Sequence, residues 1–167
     1  MTSFHSMSGN VAAVDFEIRQ VLYRYCRGID RLDRDLVRSC YHPGATDSHG
    51  SFSGTVDEFL EWVWRVLSRY EMTQHYLSNV LVELTGPDTA DVESYGMAVH
   101  RGDPAIPERN LVTGFRFVDR FSLRDGDWRI ASRVAVSEWS RPVDDWWPLP
   151  DDMLTGQRNR NDPVYWR

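Results

Sequence analysis

Residues 111–139, LVTGFRFVDRFSLRDGDWRIASRVAVSEW, decide the fold class. Up to Leu123 the apolar residues recur through Val112, Phe115, Phe117 and Phe121, with the three Phe on one face, as in a half-buried strand. Asp125-Gly126 within RDGD is a tight hairpin signal, because both residues tolerate positive φ. Residues 128–139 then return as the partner strand. Upstream, residues 73–84 contain HYLSNVLVEL and read as another strand, ended by the turn GPDT. Residues 90–101 read as one more, followed by the Pro-broken loop GDPAIPE.

Helices come before these strands. From Asp15, the residues Phe16, Ile18, Val21, Leu22, Tyr25 and Ile29 recur at spacings of three and four. Asp33 is placed to cap a second, short helix with Leu36, Val37 and Cys40 on its inner face, stopped by Pro43. The Gly-, Ser- and Pro-rich stretch HPGATDSHGSFSG predicts a loop with at most one short strand. Residues 56–70 carry Phe59, Leu60, Val63, Trp64 and Leu67 at helical spacing, giving a third helix. Three helices followed by long antiparallel strands predict an α+β fold. The helices should pack on one face of a strongly curved, mostly antiparallel sheet and enclose a cone-shaped cavity. The expected division is a flexible tail over residues 1–12, the α+β domain over 13–140, and an aromatic segment over 141–167. That last segment holds Trp146, Trp147, Tyr165 and Trp166 without helical or strand period. Disordered tails are poor in aromatics, so it is expected to dock on the domain, as a lid or otherwise, or on a neighbouring subunit.

Composition excludes several chemistries. The chain has 167 residues and a net charge of −6, which disfavours a nucleic-acid partner held by general charge. All nineteen basic residues are Arg, so no lysine is available for a Schiff base, a general base or a phosphate-loop contact. The N-terminus lacks a basic segment followed by an apolar run, and no apolar stretch approaches the roughly 20 residues of a membrane span. A cytoplasmic protein without a membrane partner is expected. Cys26 and Cys40 fall in helical segments and read as small buried hydrophobes. Asp47 and His49 are spaced to chelate, as are Asp144-Asp145 and Asp151-Asp152, but none has a third ligand at a recognisable spacing. The glycines form no phosphate loop or dinucleotide fingerprint, so neither a metal nor a cofactor is expected.

The order of elements, with YCRGIDRLDRDLVRSCYHPGA early and RDGDWRI late, resembles the SnoaL-like branch of the nuclear transport factor 2-like superfamily. The resemblance spans residues 14–140 and implies a cone fold that associates as dimers or trimers. Members include dehydratases, isomerases, polyketide cyclases and a dehydrochlorinase, besides dioxygenase small subunits and non-catalytic binding domains, so the fold alone does not name the activity. In scytalone dehydratase and lindane dehydrochlorinase an Asp after the first helix pairs with a His on the first long strand. IDRLD supplies Asp30 and MTQHYLSN supplies His75 in those places. The scytalone dehydratase pattern adds a second His on the next strand, matched by His100 in MAVHRGD. It also has a Tyr before the third helix, where this chain has His49 nearby, and an Asn where this chain places Phe117.

A carboxylate held against one ring nitrogen of a His fixes the tautomer and leaves the other nitrogen as a base. In an apolar cavity such a pair suits elimination or proton shuttling on a small apolar, cyclic, polyketide- or steroid-like substrate. The expected roles are His75 as base, Asp30 as its orienting partner and His100 as acid, with Tyr25, His49, Asn79 and Phe117 contacting substrate. Asn79 enters because it lies four residues from His75 and hence on the same face of a regular strand. Each has a plain structural reading too: Asp30 as a helix terminator, His75 as a core histidine, Tyr25 and Phe117 as core packing. Arg133 has Glu138 or Asp119 as its partner, and His5 and His42 belong to the tail and a turn. The competing functions are a binding or accessory domain and a dioxygenase small subunit.

Overall fold

A computed structural model describes residues 4–103, 105–106, 110–144 and 150–166, with side chains from residue 11 onward. Helix α1 spans Phe4–Arg31, α2 Arg34–Ser39 and α3 Val56–Leu67. The strands are β1 (Tyr41–His49), β2 (Phe52–Thr55), β3 (Tyr70–Gly86), β4 (Thr89–Gly102), β5 (Leu111–Arg124) and β6 (Asp127–Pro142). They form one six-stranded sheet in the order β2-β1-β6-β5-β4-β3, antiparallel throughout except for the parallel pair β1–β6. The sheet is open, and with the helices packed on it makes the α+β cone.

Local chemistry accounts for most boundaries. Asp33 caps α2 by accepting from the Leu36 N–H. Thr55 and Glu58 form a capping box at the start of α3. The β5–β6 hairpin turns at Asp125 (φ 53°) and Gly126 (φ 84°), the paired positive angles of a type I′ turn. Ile18, Val21, Leu22 and Ile29 of α1 bury against Phe59, Leu60 and Val63 of α3 and against Val92, Phe121 and Ile130 of the sheet. Each such side chain contributes about 1.5–3 kcal/mol of burial. Register shifts in β3, and others in β5–β6, are the bulges that bend the sheet around the helices. Cys26 and Cys40 are free and buried, and burial pushes their thiols up to about 12 and about 11.

Three expectations are corrected. Helix α1 begins at Phe4, so the helix takes in most of the stretch expected as a flexible tail. Small polar residues there give no apolar period, but nothing stops the helix from continuing upstream. Second, HPGATDSHGSFSG is not a loop: β1 and β2 form a hairpin turned at Gly50 (φ 60°). Composition hid it because β1 takes its partner from β6, far away in sequence. Third, α3 stops at Leu67 and Tyr70 opens β3 rather than closing the helix.

Candidate active site

Asp30 lies in the last turn of α1 and His75 near the start of β3, and the packing of that helix end on the strand brings them together. His75 Nδ1 is 2.7 Å from Asp30 Oδ1, while the His75 backbone N–H donates to Oδ2 at 2.9 Å. The Thr73 hydroxyl donates to Oδ1 at 3.0 Å. A carboxylate only accepts, so Nδ1 carries the proton and Nε2 is left as a base with its lone pair free. Alternation along β3 puts Thr73 and His75 on the same inward face.

His75 and His100 meet edge to face, with ring centroids 5.8 Å apart, and Tyr70 lies 4.8 Å from His100. Burial, then the neighbouring His75, pushes His100 down to about 4, so its ring is neutral near pH 7. Both histidines line a pocket of about 390 Å³. Phe115, Phe117 and Trp139 supply its aromatic wall, and Thr113, Ser137 and Ser140 its hydroxyls. His49 lines the same pocket and stacks on Phe59 at 5.6 Å. Its Nδ1 is 3.6 Å from Asp47 Oδ1, and neither atom makes a hydrogen bond among the described residues.

Beneath His49 runs a buried row of charge. In the sheet register Asp47 lies beside Arg133, and Arg133 beside Asp119. Arg133 and Asp119 form two parallel hydrogen bonds of 2.7 Å, both side chains completely buried. Burial disfavours the Arg133 charge, yet Asp119, with Tyr41 and Tyr25 nearby, holds the guanidinium above its ordinary range. Its plane lies 3.8 Å from the Phe117 ring centroid and 4.2 Å from that of Tyr25. Of the two partners open to Arg133, Asp119 is the one it takes; Glu138 bonds Arg116.

The structure thus gathers His75, His100, His49 and Phe117 around one pocket, with Asp30 bonded to His75 from behind, and leaves two expected residues outside it. Tyr25 sits in the core with its ring edge-on to Phe117 at 5.7 Å, and does not line the pocket. Asn79 is exposed, because the register shift between Leu77 and Val80 reverses which residues of β3 point inward. Among the described residues no three His, Cys, Asp or Glu side chains converge as metal ligands would, and no helix is long and apolar enough to cross a membrane.

One contributor carried no sequence signal. In the C-terminal segment, Arg158 donates through Nε to the Asp30 carbonyl at 3.3 Å and through Nη1 to the Leu67 carbonyl at 2.9 Å and to that of Tyr70. Farther along, Asp162 pairs with Arg31 at 3.1 Å and the Tyr165 hydroxyl donates to Asp33 at 2.7 Å. Residues 158–165 therefore dock on their own domain behind Asp30, while Trp146 and Trp147 lie outside the described residues.

The family model for the SnoaL-like domain matches residues 12–134. The chain belongs to the SnoaL-like family. No curated protein matches its sequence. Among solved structures, this SnoaL-like chain is similar to a candidate scytalone dehydratase from Novosphingobium aromaticivorans, with 16% identity and a TM-score of 0.71 over 89% of this chain and 99% of that one. It is also similar to a hexachlorocyclohexane dehydrochlorinase from Novosphingobium barchaimii, with 15% identity and a TM-score of 0.75 over 86% of this chain and 99% of that one. At such identities the likeness is one of fold, and it agrees with the cone architecture of the SnoaL-like family.

Proposed function

We propose that the protein is a cofactor-independent lyase or isomerase that uses His75 as general base on a small apolar, cyclic substrate. The single observation that carries this reading is the 2.7 Å contact between His75 Nδ1 and Asp30 Oδ1, with Nε2 left free on a pocket-lining ring. Elimination is the favoured step, and both the dehydratase and the dehydrochlorinase similar in fold are named for losing a small group from a substrate. Nε2 takes a proton from carbon, the C–H electron pair becomes the new double bond, and the adjacent hydroxyl or halide leaves with its own pair. Asp30 stabilises the imidazolium that forms. His100, neutral near pH 7, serves the departing group by hydrogen bonding rather than as a standing imidazolium. His49 and Phe117 hold the substrate at the other end of the pocket.

The test is a panel of cyclic β-hydroxy ketones and halogenated cyclohexanes, followed by the absorbance of the unsaturated product. His75→Ala and Asp30→Asn should abolish turnover with the circular dichroism of the fold unchanged; undiminished turnover in either overturns the assignment. We also propose self-association as a dimer or trimer through the outer sheet face. That reading is supported by Tyr76, Tyr95, Met97, Val118 and Val134, which stand exposed there. Light scattering checks it, and a monomer at micromolar concentration would contradict it.

A further inference from the structure

We infer that Arg158, at the far end of the chain from Asp30, is a positioning residue of the His75–Asp30 pair, which makes the C-terminal segment part of the active-site construction rather than a cover for it. The inference rests on the proposed role of that pair as the site's base and its orienting partner.

The geometry starts from unmet hydrogen-bonding needs. The last carbonyls of a helix have no partner within the helix, and its C-terminal end carries partial negative charge. Helices α1 and α3 both end close to the start of β3, so several such oxygens gather in one place. A single guanidinium answers two of them, the carbonyls of Asp30 in α1 and Leu67 in α3, together with that of Tyr70 in β3. Arg has five donors in a rigid fork, so it can serve acceptors from three elements at once, which an ammonium cannot do with the same geometry.

What Arg158 holds is what sets the pair. Its Nη2 lies 3.5 Å from the Thr73 hydroxyl, and that hydroxyl donates to Asp30 Oδ1, the same oxygen that accepts from His75 Nδ1. Arg158 thus grips Asp30 by its backbone and borders the hydroxyl that orients its carboxylate. Through Tyr70 it also touches the residue whose ring packs on His100. The groups around the two histidines are then Asp30 from α1, Thr73 and Tyr70 from β3, and Arg158 from the C-terminal segment. Of these, Asp30 and Arg158 are the charged ones. The Arg158 charge acts on His100 in the direction that keeps the ring neutral, alongside burial and His75. Beyond Arg158 the segment makes separate contacts, Asp162 with Arg31, the last residue of α1, and Tyr165 with Asp33 just past it.

Imidazole proton and nitrogen NMR of the whole protein tests this without a substrate. In the parent protein the His75 Nδ1 proton should be protected from solvent exchange, and Asp30→Asn supplies the spectrum of a broken pair. Arg158→Gln should lose that protection and shift the His100 titration upward, since the nearby positive charge is gone. Arg158→Lys keeps the charge but not the fork, so it should lose protection at His75 while His100 stays low; it also serves if the Gln variant does not fold. Tyr165→Phe, which loosens the same segment at its other anchor, should change neither signal. Unchanged spectra in both Arg158 variants would overturn the inference, as would an equal change in Tyr165→Phe, which would mean that docking alone matters. Because these signals report the pair and not turnover, they hold or fail independently of whether His75→Ala abolishes the proposed reaction.

Discussion

Asp30 and His75 are 45 residues apart in sequence and close to 2.7 Å, whereas Asp47 and His49 alternate on one strand and stop at 3.6 Å. Both histidines line the same pocket. Alternate residues of a strand point the same way but lie about 6.6–7 Å apart along it, so their side chains must lean to meet. A helix end facing a strand can instead present its carboxylate head-on to the ring. The Asp30 carboxylate collects the Thr73 hydroxyl, the His75 N–H and the His75 ring, while among the described residues the Asp47 carboxylate accepts only from the Tyr41 hydroxyl, at 2.6 Å. One imidazole is held by its carboxylate through a hydrogen bond; the other is held by packing against Phe59 instead.

The strongest way to break that comparison is to remove each carboxylate in turn. Asp30→Asn should lower kcat by about 10³–10⁴-fold, the scale on which a base loses its tautomer and its charge partner. Asp47→Asn should cost about tenfold or less, since its His is not held. Steady-state kinetics on one substrate decides it: comparable losses would mean that the two pairs do the same work.

Stability should rank the carboxylates differently. Asp119→Asn leaves Arg133 charged, wholly buried and without its bidentate partner, and should cost about 3–5 kcal/mol in urea denaturation. Asp30→Asn keeps some of its hydrogen bonds and should cost about 1–2 kcal/mol. A reversed order would make the Asp30 pair a structural feature first and the buried Arg133–Asp119 pair a dispensable one.

Much of this was legible in the chain itself, and the remainder has physical causes. The strands β3–β6 announce themselves because each buries one face, which forces alternation, as in Phe115, Phe117 and Phe121. Asp33 announces a helix start because capping is local chemistry. Strands β1 and β2 did not, since β1 takes a parallel partner 80-odd residues on and the stretch is rich in Gly, Ser and Pro. Asn79 is turned outward by one bulge, which no residue pattern marks, and Tyr25, although one turn and a residue before Asp30 on α1, points into the core rather than the pocket. Arg158 is the clearest gap: it acts by filling carbonyls from three distant elements, and carbonyls carry no side-chain signature.

A third difference is in response to acid. His100 titrates at about 4 in the folded protein against an ordinary value of 6.5. Between those values the unfolded chain binds a proton that the native protein does not, so stability is full above pH 6.5 and falls as pH drops toward 4. The span is worth at most about 3 kcal/mol. His100→Gln should flatten that part of the curve of melting temperature against pH relative to the parent. An unflattened curve in His100→Gln would mean that the burial of that ring does not act on stability.

The smallest effect belongs to His49 and tests the open pair most directly. Its ring stacks on Phe59 at 5.6 Å and lies 6.2 Å from Phe117, so it forms one wall of the pocket. A residue that only holds the substrate binds ground state and transition state alike, and its loss raises KM with kcat little changed. His49→Gln should therefore raise KM by about tenfold, roughly 1.4 kcal/mol, and leave the pH dependence of kcat where it was. A fall in kcat with a lost ionisation would instead show that a substrate closes the 3.6 Å gap to Asp47 and turns the second pair into a working acid. The pocket would then hold two proton-transfer groups facing each other across Phe115 and Phe117, and the choice between elimination and isomerisation would turn on which of them returns the proton.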